Sequence, residues 1–126
     1  MIAITINGDV LENLWAFPIE IRALREVPSS VPRKYRQGHE YQQLVELCDN
    51  TVKRLQATTD YGYHILMTYL SDSLIRDILI DKFTKRKTIE KLADQYGYSS
   101  RQIGRMIKRG IDELQSKGIY FETGEQ

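Results

Sequence analysis

The 126-residue sequence predicts an all-α fold, with a helical N-terminal half followed by a C-terminal helix-turn-helix. Three observations carry this. Apolar residues recur at three- and four-residue spacings over most of the chain, the period of a helix face and not of a strand. Helix-start residues stand just before those runs: Ser71 or Asp72, then Thr88, then Ser99 as an N-cap. The stretch Thr88–Leu114, TIEKLADQYGYSSRQIGRMIKRGIDEL, puts small Ala93 where two helices would touch and Gly97 where the first must end in the left-handed conformation. Ile103 and Met106 then fall on the inner face of the second helix, completing the spacing of a helix-turn-helix.

Taken in order, residues 1–38 read as an N-terminal arm, a helix and a linker. Met1–Asn7 alternates weakly, as a short strand or a free tail would. From Asp9 to about Glu26 the pattern is helical, and Pro18 is expected to kink or split it because proline lacks a backbone donor. VPSSVPRKYRQG, Val27–Gly38, is the clearest linker, with prolines, serines and charges and no apolar period.

Residues 39–71 read as a helical hairpin. Tyr41, Val45, Cys48, Val52 and Leu55 form a short heptad seam that suits an intrachain hairpin or, alternatively, a homodimer. Thr59 or Asp60 then suits the cap of a further helix carrying Tyr63, Ile65, Leu66, Met67, Tyr69 and Leu70. Residues 72–118 read as the DNA-binding unit. Leu74, Ile75, Ile78, Leu79 and Phe83 supply a floor, and Lys85, Arg86 and Lys87 lead to a helix starting at Thr88. Residues 119–126 are a tail, whose Ile119, Tyr120 and Phe121 are able to fold back on the core.

The helix over residues 99–117 can be tested by angle. At 100° per residue, Ile103, Met106, Ile107, Gly110, Ile111 and Leu114 fall within about 140°, one buried stripe. Arg101, Arg105, Lys108 and Asp112 fall opposite, and Gly104 lies between the two faces. Ser99 suits the N-cap, leaving Ser100, Arg101 and Gln102 in the first turn, the part that reaches base edges when such a helix enters the major groove. Arginine can donate two hydrogen bonds to guanine and glutamine can pair with adenine. Lys85, Arg86, Lys87, the Thr88 hydroxyl, Lys108 and Arg109 are expected to hold phosphates.

Charge distribution agrees. Between Lys82 and Arg109, nine positive residues oppose two negative ones, a balance of +7; from Met1 to Asn50 the balance is −2, five against seven. Such asymmetry suits a DNA-facing unit beside one that faces elsewhere. No apolar run has the length of a membrane span, the first ten residues lack the pattern of a signal peptide, and Cys48, the only cysteine, cannot make an intrachain disulfide. A cytoplasmic protein is expected, with Cys48 a small buried residue.

Enzyme chemistry finds no support. His39 and His64 have no metal-ligand partners at useful spacing, and no phosphate-binding glycine loop is present. His39 is expected in solvent and His64 in a core or interface. Asp77 and Asp81 share a helix face but read as solvated. No cofactor is expected.

LIRDILIDKF followed by TIEKLADQYGYSSRQIGRMIKRGIDEL resembles the promoter-reading C-terminal domain of bacterial sigma factors. The small size, acidic helical first half and YGYSSRQI turn resemble phage-encoded regulators of the ArpU and RinA type. The resemblance implies a phage or prophage transcriptional regulator acting on late genes, with double-stranded DNA and RNA polymerase as partners. Two other functions fit the same motif: a small-terminase-like DNA-packaging subunit, and a polymerase-binding adaptor that touches no DNA.

Overall fold

The computed structural model describes residues 6, 7 and 9–120, and its architecture is all-α. Six helices follow in order: α1 (Asp9–Glu12), α2 (Phe17–Ser30), α3 (His39–Tyr69), α4 (Ser73–Lys85), α5 (Ile89–Tyr96) and α6 (Ser100–Ser116). A single 3-10 turn, Arg33–Tyr35, interrupts the connection between α2 and α3. Two-residue strands β1 (Ile6–Asn7) and β2 (Ile119–Tyr120) pair in parallel, Ile6 with Ile119 and Asn7 with Tyr120. Residues 1–5 and 121–126, which include part of the expected strand and Phe121, lie outside the described residues.

Proline splits the first helical region as expected. Pro18 sits in the first turn of α2, where a missing N–H leaves no intrahelical bond unmade, so the chain restarts there after α1. The expected linker begins later than Val27. Helix α2 continues through Pro28 to Ser30, and its last carbonyls are satisfied from nearby side chains. Ser29 and Ser30 hydroxyls donate back to Glu26 and Val27 carbonyls, while Arg36 donates from Nε to Val31 O and from Nη2 to Ser29 O, both at 2.7 Å. The residues that signalled a loop thus finish a helix.

The hairpin expected within residues 39–71 is not there: α3 is one helix of 31 residues, about 46 Å long. Thr59 caps nothing. It is buried, and its hydroxyl donates to the Leu55 carbonyl one turn back. Gly62 does not break the helix either, because its bare face receives Leu14; a Cβ there would lie 2.6 Å from Leu14 Cδ2. The hairpin of this fold is α2 packed against α3. Pro18, Ile21 and Arg22 lie beside Gln56 and Thr59, and Leu24 and Pro28 beside Cys48 and Val52, so the two helices run antiparallel. Cys48 is buried in that seam.

The main core gathers α1, the C-terminal third of α3, and α4 to β2. Leu11, Leu14, Ile65, Leu66 and Leu70 meet Ile75, Ile78, Leu79 and Phe83 of α4, which in turn meet Leu92, Ile103, Ile107 and Leu114. Ile119, fully buried, closes this cluster and ties β2 to it. His64 is exposed and lies 3.4 Å from Thr68 through Nδ1, against the expectation of a core or interface position; His39 is exposed as expected. No helix among the described residues is long and apolar enough to cross a membrane.

Candidate nucleic-acid interface

Local signals place each helix of the C-terminal unit. Asp72 caps α4, its carboxylate accepting the Leu74 and Ile75 N–H groups at 2.8 and 3.1 Å. Arg86 ends α4 in the left-handed conformation, φ 53°. Thr88 caps α5, its hydroxyl accepting the Lys91 N–H at 3.2 Å. Gly97 takes φ 76°, as that position demands, and the Gly97 and Tyr98 N–H groups both donate to Ala93 O. Ser99 then opens α6 with a reciprocal capping box: Ser99 Oγ accepts from Gln102 N at 3.1 Å and Gln102 Oε1 accepts from Ser99 N at 2.9 Å.

Helix α6 is held from behind. Ile103, Ile107, Gly110 and Leu114 are buried, with Met106 and Ile111 packed at the edge of the core. The absent side chain of Gly110 is filled by α4; a Cβ would lie 2.5 Å from Leu79 Cδ1 and 2.8 Å from Ile75 Cγ2. At its C-terminal end Glu113 accepts from the Ser71 backbone and hydroxyl, and Lys117 donates to Tyr69 O at 2.7 Å and to Glu113 at 3.0 Å. The Ser71 hydroxyl and Lys117 ammonium hold the Glu113 carboxyl below its ordinary pKa. These contacts stitch α6 to the α3–α4 junction.

The outer face is open. Ser100, Arg101, Gln102, Arg105, Lys108 and Arg109 are all exposed, and a Cβ on Gly104 would meet nothing within 4 Å. Among the described residues no ion pair engages Arg101, Arg105, Lys108 or Arg109. Gln102 differs from its neighbours, since its side-chain oxygen is already occupied by the cap.

The expected phosphate set, Lys85 to Thr88, also makes contacts within the fold. Lys85 lies 3.5 Å from Asp81 and stays largely exposed. The Arg86 guanidinium stacks on the Trp15 ring, 4.3 Å from its centroid. Lys87, half-buried, donates to Gln95 Oε1 and lies 3.9 Å from Asp81 Oδ2. Of this set, Lys85, Arg86 and Thr88 remain exposed and Lys87 does not.

Asp81 corrects a sequence expectation. Asp77 is exposed, but Asp81 is buried at the junction of α4 and α5, accepting from Tyr96 Oη at 2.6 Å and Gln95 Nε2 at 2.9 Å. Burial pushes its carboxyl pKa up, yet those two donors with the Lys87 and Lys85 charges outweigh burial and hold it below the ordinary value. Burial and the Asp81 carboxylate in turn push the Tyr96 hydroxyl pKa up. Only the i, i+4 spacing of Asp81 and Lys85 hinted at this in the sequence. Nothing hinted at Trp15, whose partner stands 71 positions away. No group of three or more His, Cys, Asp or Glu is placed to hold a metal ion among the described residues.

The fold and this site together define an all-α protein with a three-residue turn, Gly97–Ser99, joining two helices, the second buried on one side and basic on the other. Comparison with protein-family models, with curated proteins and with solved structures finds no match.

Proposed function

We propose that the chain is a sequence-specific double-stranded-DNA-binding regulator of transcription, of the phage or prophage kind that its sigma-like C-terminal region resembles. One observation carries the reading. Arg101, Arg105, Lys108 and Arg109 project from one capped helix with no ion-pair partner among the described residues, while the opposite side of that helix is locked in the core. Free guanidinium groups on a rigid rod suit base edges and phosphates, whose negative charge supplies the missing partners.

In this reading the first turns of α6 enter the major groove. Arg101 and Arg105 donate to guanine O6 and N7, Ser100 contributes a hydroxyl, and Gln102 holds the helix start while its amide nitrogen remains a donor. Lys108, Arg109 and Lys85 supply phosphate contacts that fix register without reading sequence. Arg86 and Lys87, tied to Trp15 and to Asp81 and Gln95, act by orienting the loop before α5. No step requires a metal or cofactor.

Selection of bound sequences from a random duplex pool tests this, followed by gel retardation with variants. Arg101→Ala and Arg105→Ala are each expected to weaken the selected site by about 1–3 kcal/mol and to relax base choice at one position. Unchanged binding by both variants would refute the assigned face. No retardation of any duplex at low salt, with retention on RNA polymerase, would replace the DNA reading by an adaptor role.

A further inference from the structure

The seam Tyr41, Val45, Cys48, Val52 and Leu55 faces α2, so the dimer contact first suggested by its heptad spacing is already occupied within the chain. Helix α3 carries a second stripe. Glu40, Leu44, Leu47, Thr51, Arg54 and Thr58 follow at intervals of four and three residues, continue to Tyr61, and lie about 100° round the helix from the α2 contact. Leu47 is 65% exposed and Tyr61 46% exposed. The flanking residues Gln43, Asn50 and Ala57 carry no charge.

This face is ready to lose water. Thr51 and Thr58 hydroxyls donate to the Leu47 and Arg54 carbonyls at 2.7 and 2.9 Å, so covering them strands no donor. The α2–α3 hairpin also needs a further layer. Of its apolar residues between Ile21 and Leu55, only Ile21 and Cys48 are buried, while Tyr41, Leu44, Val45, Val52 and Leu55 stay half-buried. Two helices alone do not enclose a core.

Charge decides what covers it. The stripe holds two charges of opposite sign, Glu40 and Arg54, placed seven residues either side of Leu47, and neither has an ion-pair partner among the described residues. Antiparallel pairing of two α3 helices about a two-fold axis at Leu47 sets each Glu40 beside the other copy's Arg54 and one Leu47 on the other. Parallel pairing would set like charges together. We propose that this stripe is the contact surface for a second copy of the chain, the two α2–α3 hairpins forming an antiparallel four-helix bundle.

The arrangement has a consequence that rests on the DNA reading above. From Leu47 to its last residue, Tyr69, α3 rises about 33 Å, so the ends from which the two C-terminal units begin stand about 66 Å apart, near two turns of duplex. Half-sites centred about 20 base pairs apart are expected.

Sedimentation velocity of the full chain without DNA, up to about 100 μM, tests the contact. The unmodified chain is expected at twice the monomer mass. Leu47→Asp, at a position exposed in the monomer, weakens association by roughly tenfold or more while circular dichroism stays unchanged. E40R and R54E each weaken it by placing like charges together, and the double variant E40R/R54E recovers it. A monomer at every concentration overturns the proposal, as does a dimer or larger ring indifferent to Leu47→Asp, or a double variant that fails to recover. A dimer that retards no DNA refutes the proposed function alone. A monomer that binds one half-site refutes the dimer alone.

Discussion

Two glycines on α6 provide a test in which a single methyl group acts with opposite sign. In Gly110→Ala the new Cβ would lie 2.5 Å from Leu79 Cδ1 and 2.8 Å from Ile75 Cγ2, closer than real contacts permit. Leu79 is fully buried and Ile75 nearly so, so neither can swing into solvent. Overpacking of this kind costs about 1–3 kcal/mol. Alanine also gains about 1 kcal/mol of helix propensity over glycine. In Gly104→Ala only the second effect operates, since the methyl would meet nothing within 4 Å. The propensity gain is common to both variants and cancels in their difference, which isolates the packing cost. Gly104→Ala is therefore expected to be up to about 1 kcal/mol more stable than the unmodified chain, with Gly110→Ala about 1–3 kcal/mol below Gly104→Ala. Urea unfolding followed by circular dichroism and by the fluorescence of Trp15, the only tryptophan, measures both. Gly110→Ala at or above Gly104→Ala would mean that α6 is not seated on Leu79 and Ile75, and the placement of its outer face would fall with it.

Asp81 sets an acid limit on stability. Its folded pKa is depressed, so its contribution is present above the unfolded value and is lost as pH falls through the folded one. Urea midpoints measured from about pH 6 to pH 2 should decline at the acid end for the unmodified chain and decline less for Asp81→Asn, which begins about 1 kcal/mol less stable at neutral pH. Equal slopes would remove Asp81 from the α4–α5 junction. At Arg86, loss of the Trp15 stack in Arg86→Ala should cost about 0.5–1 kcal/mol and shift the Trp15 emission. Arg86→Gly should shift that emission too but lose less stability, because glycine carries no left-handed penalty at φ 53°. An unchanged emission in both would separate Trp15 from the loop before α5. On the DNA reading, Arg109→Ala should lower the slope of log affinity against log salt by about one unit, equally for selected and random duplexes. A loss confined to the selected site would make Arg109 a base reader.

The features legible in the sequence rest on local interactions. Asp72, Thr88 and Ser99 cap because their side-chain oxygens reach N–H groups two or three residues ahead, and Gly97 turns because its own backbone must. The buried stripe of α6 was legible for the same reason, since helical period alone places Ile103, Ile107, Gly110 and Leu114 on one side.

Tertiary contacts decided the rest. Helix α2 runs past Val27 because Leu24 and Pro28 lie against Cys48 and Val52 of α3; Ser29, Ser30 and Arg36, whose types signal a loop, then finish it through hydrogen bonds spanning three to seven residues. Thr59 and Gly62 leave α3 unbroken because α2 and Leu14 fill the space against them. Asp81 is buried because Gln95 and Tyr96 arrive from α5 to satisfy it, and Arg86 meets Trp15 across most of the chain. Composition and spacing determine which residues can form a helix, a cap or a basic face; which polar groups can leave water depends on partners distant in sequence, and those exist only once the helices have packed.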